Sequence, residues 1–218
     1  MPNGRYLHHP ATLLEGHAHL PPSEERFSCA PGPAGWRYVS KTYAPDGAVL
    51  ATTDLTLDSR ARPLRLELRS GGWLVRGGAV DGVTWVRTAA DGNPEHAAEA
   101  AEGYDRAHAF TGSSPAFLIA TARLLRLQPG SSSRVRLVAF TDPVLAPRTL
   151  DQGWLLESVQ THETDSGPLQ VEQYQVADLE TGEQQIVHLA GDVVLAASGI
   201  ELEELESPPN QWPTEYYA

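Results

Sequence analysis

Apolar and polar residues alternate along Leu64-Arg-Leu-Glu-Leu-Arg69, Asp54-Leu-Thr-Leu-Asp58 and Arg134-Val-Arg-Leu-Val-Ala-Phe140. A period of two suits a strand with one face in a core and the other in water. Turn chemistry separates such segments. Pro45-Asp-Gly47 presets φ and then supplies a residue that accepts positive φ, while Gly71-Gly72 is a hairpin pair. Residues 36–57 therefore read as a hairpin. Pro63–Arg69, Trp73–Arg76 and Val83–Arg87 continue it as a meander, with a turn about every ten residues. Trp154–Gln160, Leu169–Asp178, Gln184–Leu189 and Val193–Ala197 add four strands, and Glu201–Glu206 is placed to close the sheet. The spacing predicts an all-β protein: a single antiparallel barrel of short meandering strands, closed or nearly closed.

Two segments break the alternation. The apolar run Ala116–Leu127 has Phe117, Ala120, Leu124 and Leu127 at helical spacings, but its neighbours are strands, and we read it as extended or strand. Glu95-His-Ala-Ala-Glu-Ala-Ala-Glu102 follows Pro94, lacks β-branched residues and reads as one short helical insertion. The domain plan is then an irregular N-terminal extension over 1–35, a barrel domain over 36–206 and a Pro-rich tail over 207–218.

Gly 19 and Pro 17 in 218 residues suit a chain of many turns, and 41% hydrophobic content is enough for a core. The net charge of -12 disfavours nucleic acid, whose phosphates would be repelled. A single cysteine, Cys29, excludes an internal disulfide and a cysteine-based metal site. No apolar run is long enough for a membrane span, and the first ten residues lack the basic and apolar regions of a secretory signal, so a cytoplasmic location is expected.

Beside this reading stands a resemblance. Leu64-Arg-Leu-Glu-Leu-Arg-Ser-Gly-Gly-Trp73, Gly112-Ser-Ser-Pro115 leading to Leu124-Leu-Arg-Leu-Gln-Pro-Gly130, Phe140-Thr-Asp-Pro-Val-Leu145 and Gly191-Asp-Val-Val-Leu-Ala196 resemble the glycolipid-binding family of bacterial β-barrel proteins. That group is named mostly from fold inference and is otherwise a domain of unknown function. The resemblance implies an incomplete antiparallel barrel with an apolar cavity or groove. Phe117-Leu118 stands where the family has an Asn after its turn, so a role for that Asn is absent here.

Catalytic signatures are missing from the motifs. Gly112-Ser-Ser-Pro115 is not Gly-x-Ser-x-Gly, and the glycine pairs are turns, not phosphate loops. His17 and His19 are spaced to share a strand face, but no third ligand can be named, and the expectation is no metal and no cofactor. His188, within Ile186-Val-His-Leu189, reads as a hydrogen-bonded strand residue. The best lead is aromatic. Trp73, Trp85 and Trp154 are candidates to line a cavity, and Arg65, Arg76 and Arg87 to anchor an acidic head group. The expected function is non-enzymatic binding of a lipid-like or amphipathic small molecule inside the barrel, with a homo-oligomer left open. One alternative is an enzyme using Asp81, His108 or Asp142 at the barrel mouth. Another is an interaction module built on Trp212, Tyr216 and Tyr217 of the tail.

Overall fold

The computed structural model of the chain describes residues 2–9, 21–32, 35–90 and 100–210. Within them the alternating segments form one antiparallel sheet of 15 strands around a single helix. The first half is a meander: β1 (Asn3–His8), β2 (Ser23–Gly32), β3 (Gly35–Tyr43), β4 (Val49–Asp58), β5 (Pro63–Ser70), β6 (Trp73–Ala79), β7 (Val83–Ala89) and β8 (Ala101–Asp105). A short β9 (Ala109–Thr111) leads into the helix α1 (Pro115–Leu125). The second meander follows as β10 (Ser132–Thr141), β11 (Ala146–Thr164), β12 (Gly167–Asp178), β13 (Gln184–Ala190), β14 (Val193–Ala197) and β15 (Ile200–Leu205).

The strand order is β8-β7-β6-β5-β4-β3-β2-β1-β15-β14-β13-β12-β11-β10-β9. Two pairings depart from a plain meander. β15 lies against β1, joining the two halves. β9 pairs with β10 in parallel, and parallel neighbours need a crossover, which here is α1. The two edge strands, β8 and β9, are consecutive in the chain, with only Arg106-Ala107-His108 between them. The sheet therefore curls until its edges meet at this link. No ladder of hydrogen bonds joins the edges among the described residues, so the expected barrel is not closed by pairing.

The inward positions follow the period-two pattern. They include Trp36, Tyr38, Leu55, Leu57, Leu66, Leu68, Trp73, Val75, Val83 and Trp85 from the first half, and Val135, Leu137, Trp154, Leu156, Tyr174, Val176, Val187 and Leu189 from the second. Most of α1 is buried too, including Ala116, Phe117, Ile119, Ala120 and Ala122, because it lies on the concave side of the curled sheet. It packs against β4, β9 and β14.

Three expectations need correcting. Ala116–Leu127 is mostly helix, not strand: Ser114 caps it, Pro115 occupies its first turn, and Arg126 in the left-handed region ends it. Burial on nearly every side removed the polar stripe that marks an amphipathic helix. Residues 1–35 are not wholly irregular, since β1 and β2 sit mid-sheet; Tyr6, Glu25, Phe27 and Cys29 point inward, and the polar Glu25 breaks the apolar alternation. Of the proposed insertion helix Glu95–Glu102, residues 95–99 lie outside the described residues, and Ala101 and Glu102 belong to strand β8.

Candidate functional site

The interior holds a polar centre that its apolar surroundings make conspicuous. Glu25 on β2 is 0% exposed. Its Oε1 accepts hydrogen bonds from Tyr38 Oη at 3.1 Å and Ser114 Oγ at 2.6 Å, and its Oε2 lies 2.8 Å from His8 Nε2. Ser114 is also the cap of α1, accepting from the Ala116 N–H at 3.4 Å, so the carboxylate faces the positive end of the helix dipole. A buried carboxylate is tolerable only with such partners. Burial, then the nearby Glu25 charge, pushes the Tyr38 phenol well above its ordinary range. Burial likewise raises Tyr6, against the lowering effect of the hydrogen bond with Val194.

A second polar cluster fixes the other end of α1. Arg123, in its last turn, forms a bidentate pair with Glu172 of β12, at 3.0 Å to Oε1 and 2.9 Å to Oε2, and also donates to the Gly191 carbonyl. Beside it, Asp192 accepts from Trp36 Nε1 at 3.3 Å and from both the backbone N–H and Nδ2 of Asn210 at 2.8 Å. Cys29 Sγ lies 3.4 Å from the same carboxylate, and burial followed by that charge pushes its thiol pKa strongly upward. Both ends of the internal helix are thus tied to acidic residues of the sheet.

The four tryptophans among the described residues are core residues. Trp36, Trp73, Trp85 and Trp154 are all buried. Trp85 meets Phe140 edge-on with centroids 5.7 Å apart and donates from Nε1 to Asp105 at 3.3 Å; Trp154 meets Tyr174 edge-on at 5.6 Å. Trp73 carries the Arg87 guanidinium 3.5 Å above its ring, and Arg87 Nε donates to the Val144 carbonyl at 2.8 Å. Of the three candidate arginines, Arg87 is the one that lies beside a tryptophan on the inward side of the sheet. Arg65 and Arg76 point outward, where both reach Glu67.

Open grooves lie where glycines thin the sheet. One, of about 590 Å³, is lined by Arg76, Gly77, Gly78, Thr84, Trp85, Val86, Glu102, Gly103 and Tyr104. The register explains it. Gly77, Trp85 and Gly103 stand in one row across β6, β7 and β8, flanked by the rows Arg76–Val86–Glu102 and Gly78–Thr84–Tyr104. Gly77 and Gly103 have no room for a side chain: a Cβ would strike the Phe110 ring at the first and overlap the Trp85 indole at the second. Val86 and Tyr104 are exposed, and Tyr104 Oη is held by the Asp81 carbonyl at 2.8 Å. A second groove, of about 420 Å³, runs past Ser133, Arg134, Gly153, Trp154 and Gln175. Of the sequence candidates, Trp85 and Arg76 share one groove, Trp73 and Arg87 share a stack, and Trp154 and Arg65 stand apart from both.

The residues proposed for an enzyme do not meet. Asp142 accepts from Ser113 at 2.9 Å, His108 Nδ1 faces the Arg136 backbone, and Asp81 lies in the turn under Tyr104. His17, His19, Trp212, Tyr216 and Tyr217 lie outside the described residues. No group of three or more metal-ligating side chains occurs among the described residues, and no described helix is long and apolar enough to cross a membrane. Glu25 was not singled out from the sequence, although Glu25, Phe27 and Cys29 at spacings of two would have placed it on the inward face.

The fold and its polar fixings define a class: an uninterrupted, curled antiparallel sheet wrapped on an internal helix. One solved structure of this kind is a DUF1089 family protein from Pseudomonas aeruginosa, with a TM-score of 0.53 and 15% sequence identity over 79% of this chain and 88% of that one. The likeness is one of fold. No protein-family model matches the sequence, and no curated protein matches it.

Proposed function

We propose that this protein binds an amphipathic small molecule without transforming it, and that the ligand lies in the groove over Gly77 and Gly78. The observation that carries this reading is the groove itself. Its size falls within the range of about 300–1,000 Å³ usual for small-molecule sites. Its walls combine exposed apolar surface, Val86 and Tyr104, with charged groups, Arg76 and Glu102. The interior of the curled sheet is a poorer candidate, because α1 and the buried aromatic side chains occupy the concave side. A glycolipid is the narrower reading suggested by the sequence resemblance, and the groove's mixture of aliphatic, aromatic and polar groups accords with it.

The enzyme reading has one observation in its favour, the ionisable groups gathered at Glu25. Their arrangement supports a structural role better. Glu25 has three hydrogen-bond partners and is closed to solvent, and of the four side chains His8 alone reaches outward, at 16% side-chain exposure.

Native mass spectrometry of freshly purified protein, compared with its denatured mass, tests the binding reading. A non-covalent mass excess should be present and should identify the ligand. Val86→Asp and Tyr104→Ala should each weaken rebinding of that ligand at least tenfold, about 1.4 kcal/mol. Rebinding untouched by both changes would remove the groove from consideration.

A further inference from the structure

On the outer face beside this groove, the register assembles a cationic array. Arg37 on β3, Arg65 and Arg69 on β5 and Arg76 on β6 all point outward, around Asp54 of β4 and Glu67 of β5. Cross-strand pairing puts Arg37 beside Thr56, Thr56 beside Arg65, Asp54 beside Glu67 and Glu67 beside Arg76. The carboxylates lie beneath, at 19% and 17% side-chain exposure, while the four arginine side chains stand 42–64% exposed above them. Glu67 receives Arg76 at 3.1 Å, Arg69 at 3.2 Å and Arg65 at 3.4 Å; Asp54 takes Arg37 at 2.8 and 3.0 Å and has Arg65 at 3.9 Å. Burial would raise the Glu67 pKa, but the hydrogen bonds from Arg76, Arg69 and Arg65 hold it below its usual range, so the carboxylate stays ionised.

Four cations over two anions leave two positive charges in excess, on a chain whose net charge is -12. A guanidinium has five N–H donors in a planar fork, and Arg76 uses only Nε on Glu67. Shared carboxylates hold the forks in place, which lowers the entropy lost on gripping an oxyanion. Arg76 belongs to both the array and the groove wall. The two features are one continuous surface, apolar at Val86 and Tyr104, acidic at Glu102 on its β8 side and cationic from Arg76 to Arg37 on the other.

We infer that the ligand of the groove is an anionic amphiphile whose phosphate-type head group is held by Arg65, Arg69 and Arg76. This rests on the groove reading and specifies its ligand class. Isothermal titration of the full chain at low salt, with octyl phosphate, octyl glucoside and inorganic phosphate each below self-association, tests it. Octyl phosphate should bind at least tenfold tighter than octyl glucoside, and the preference should shrink as salt screens the array. Arg65→Gln with Arg69→Gln should bring the preference to within about twofold, and Arg65→Lys with Arg69→Lys should restore part of it; near-ultraviolet circular dichroism reports that both variants remain folded. Equal binding of the two octyl compounds, or a preference that survives the glutamine changes, would overturn the head-group site while leaving the groove. Inorganic phosphate binding as tightly as octyl phosphate would overturn the amphiphile. Binding by neither octyl compound would sink the groove reading as well.

Discussion

Tyr38 shows how one side chain can couple the core to pH. Its phenol is fully buried and donates to a carboxylate that is itself buried, so ionising it would set two negative charges side by side without water. The folded pKa is therefore raised above the unfolded value of about 10. For a group raised in this direction, the stabilisation is fully present below that unfolded pKa. It is lost as the pH climbs above it, because the unfolded chain releases a proton that the fold retains. Tyr6 behaves alike. In an alkaline titration followed by phenolate absorbance, these two tyrosines should ionise only as the near-ultraviolet dichroism collapses. Tyr38→Phe should remove one equivalent of the late phase and cost about 1–3 kcal/mol, since Glu25 Oε1 loses a donor. Ionisation of every tyrosine in an intact fold would contradict the account. Little of this was legible from the chain. Glu24-Glu25-Arg26 is an ordinary polar triplet, and the one signal it carries is the spacing of two from Glu25 to Phe27 and Cys29, the inward residues of β2. The arginines were harder still: Arg65, Arg76 and Arg87 are alike in sequence, yet pairing sends two outward and one onto Trp73.

Among the elements, α1 departs from the sequence expectation for a physical reason. The sequence offers Ser114 and Pro115 as a cap and a first-turn proline, and Phe117, Ala120 and Leu124 at helical spacing. Those signals were outweighed by strands on either side and by the lack of a polar face, which a helix enclosed by a sheet does not need. The strand meander was legible because its turns carry their own chemistry: Gly47, Gly71, Gly72 and Gly82 all adopt positive φ. What holds α1 inside is polar at both ends, with Ser114 on Glu25 and Arg123 on Glu172. Arg123→Leu alone should destabilise the protein by about 3–5 kcal/mol, because it leaves the Glu172 charge buried without its cation. Arg123→Leu with Glu172→Leu should recover much of that loss, since an apolar pair of similar volume avoids the desolvation of both ions. A double-mutant cycle in urea measures the coupling. Additive effects would mean that the bidentate pair contributes nothing as a pair.

At the scale of the whole molecule, the sheet meets itself without a ladder, and side chains do the joining. Asp105, the last residue of edge strand β8, accepts from Trp85 Nε1 at 3.3 Å and, across the junction, from Thr149 Oγ1 of β11 at 3.0 Å. Arg87 of β7 reaches the Val144 carbonyl, Trp85 meets Phe140 of β10, and Gly71 sits so close to Pro143 that a Cβ there would collide with its backbone. A junction of separate contacts is weaker than a ladder, in which neighbouring hydrogen bonds open together or not at all. Native-state hydrogen exchange should therefore find the amides of β8 and β9 opening at lower free energy than those of β2, β3 and β4, which are paired on both sides. Asp105→Ala removes both acceptors from the junction and should cost about 1–3 kcal/mol globally. Its more specific effect is local: protection should fall most in β8 and β9, with β3 and β4 changing only by the global amount. Equal loss in every strand would show that the sheet opens as one cooperative unit and that the junction is no weaker than its ladders. The groove over Gly77 and Gly78 spans β6, β7 and the edge strand β8. A ligand there touches β6, β7 and β8 together, so octyl phosphate at saturation should slow the exchange of β8 in particular, joining the binding surface to the least secured edge of the fold.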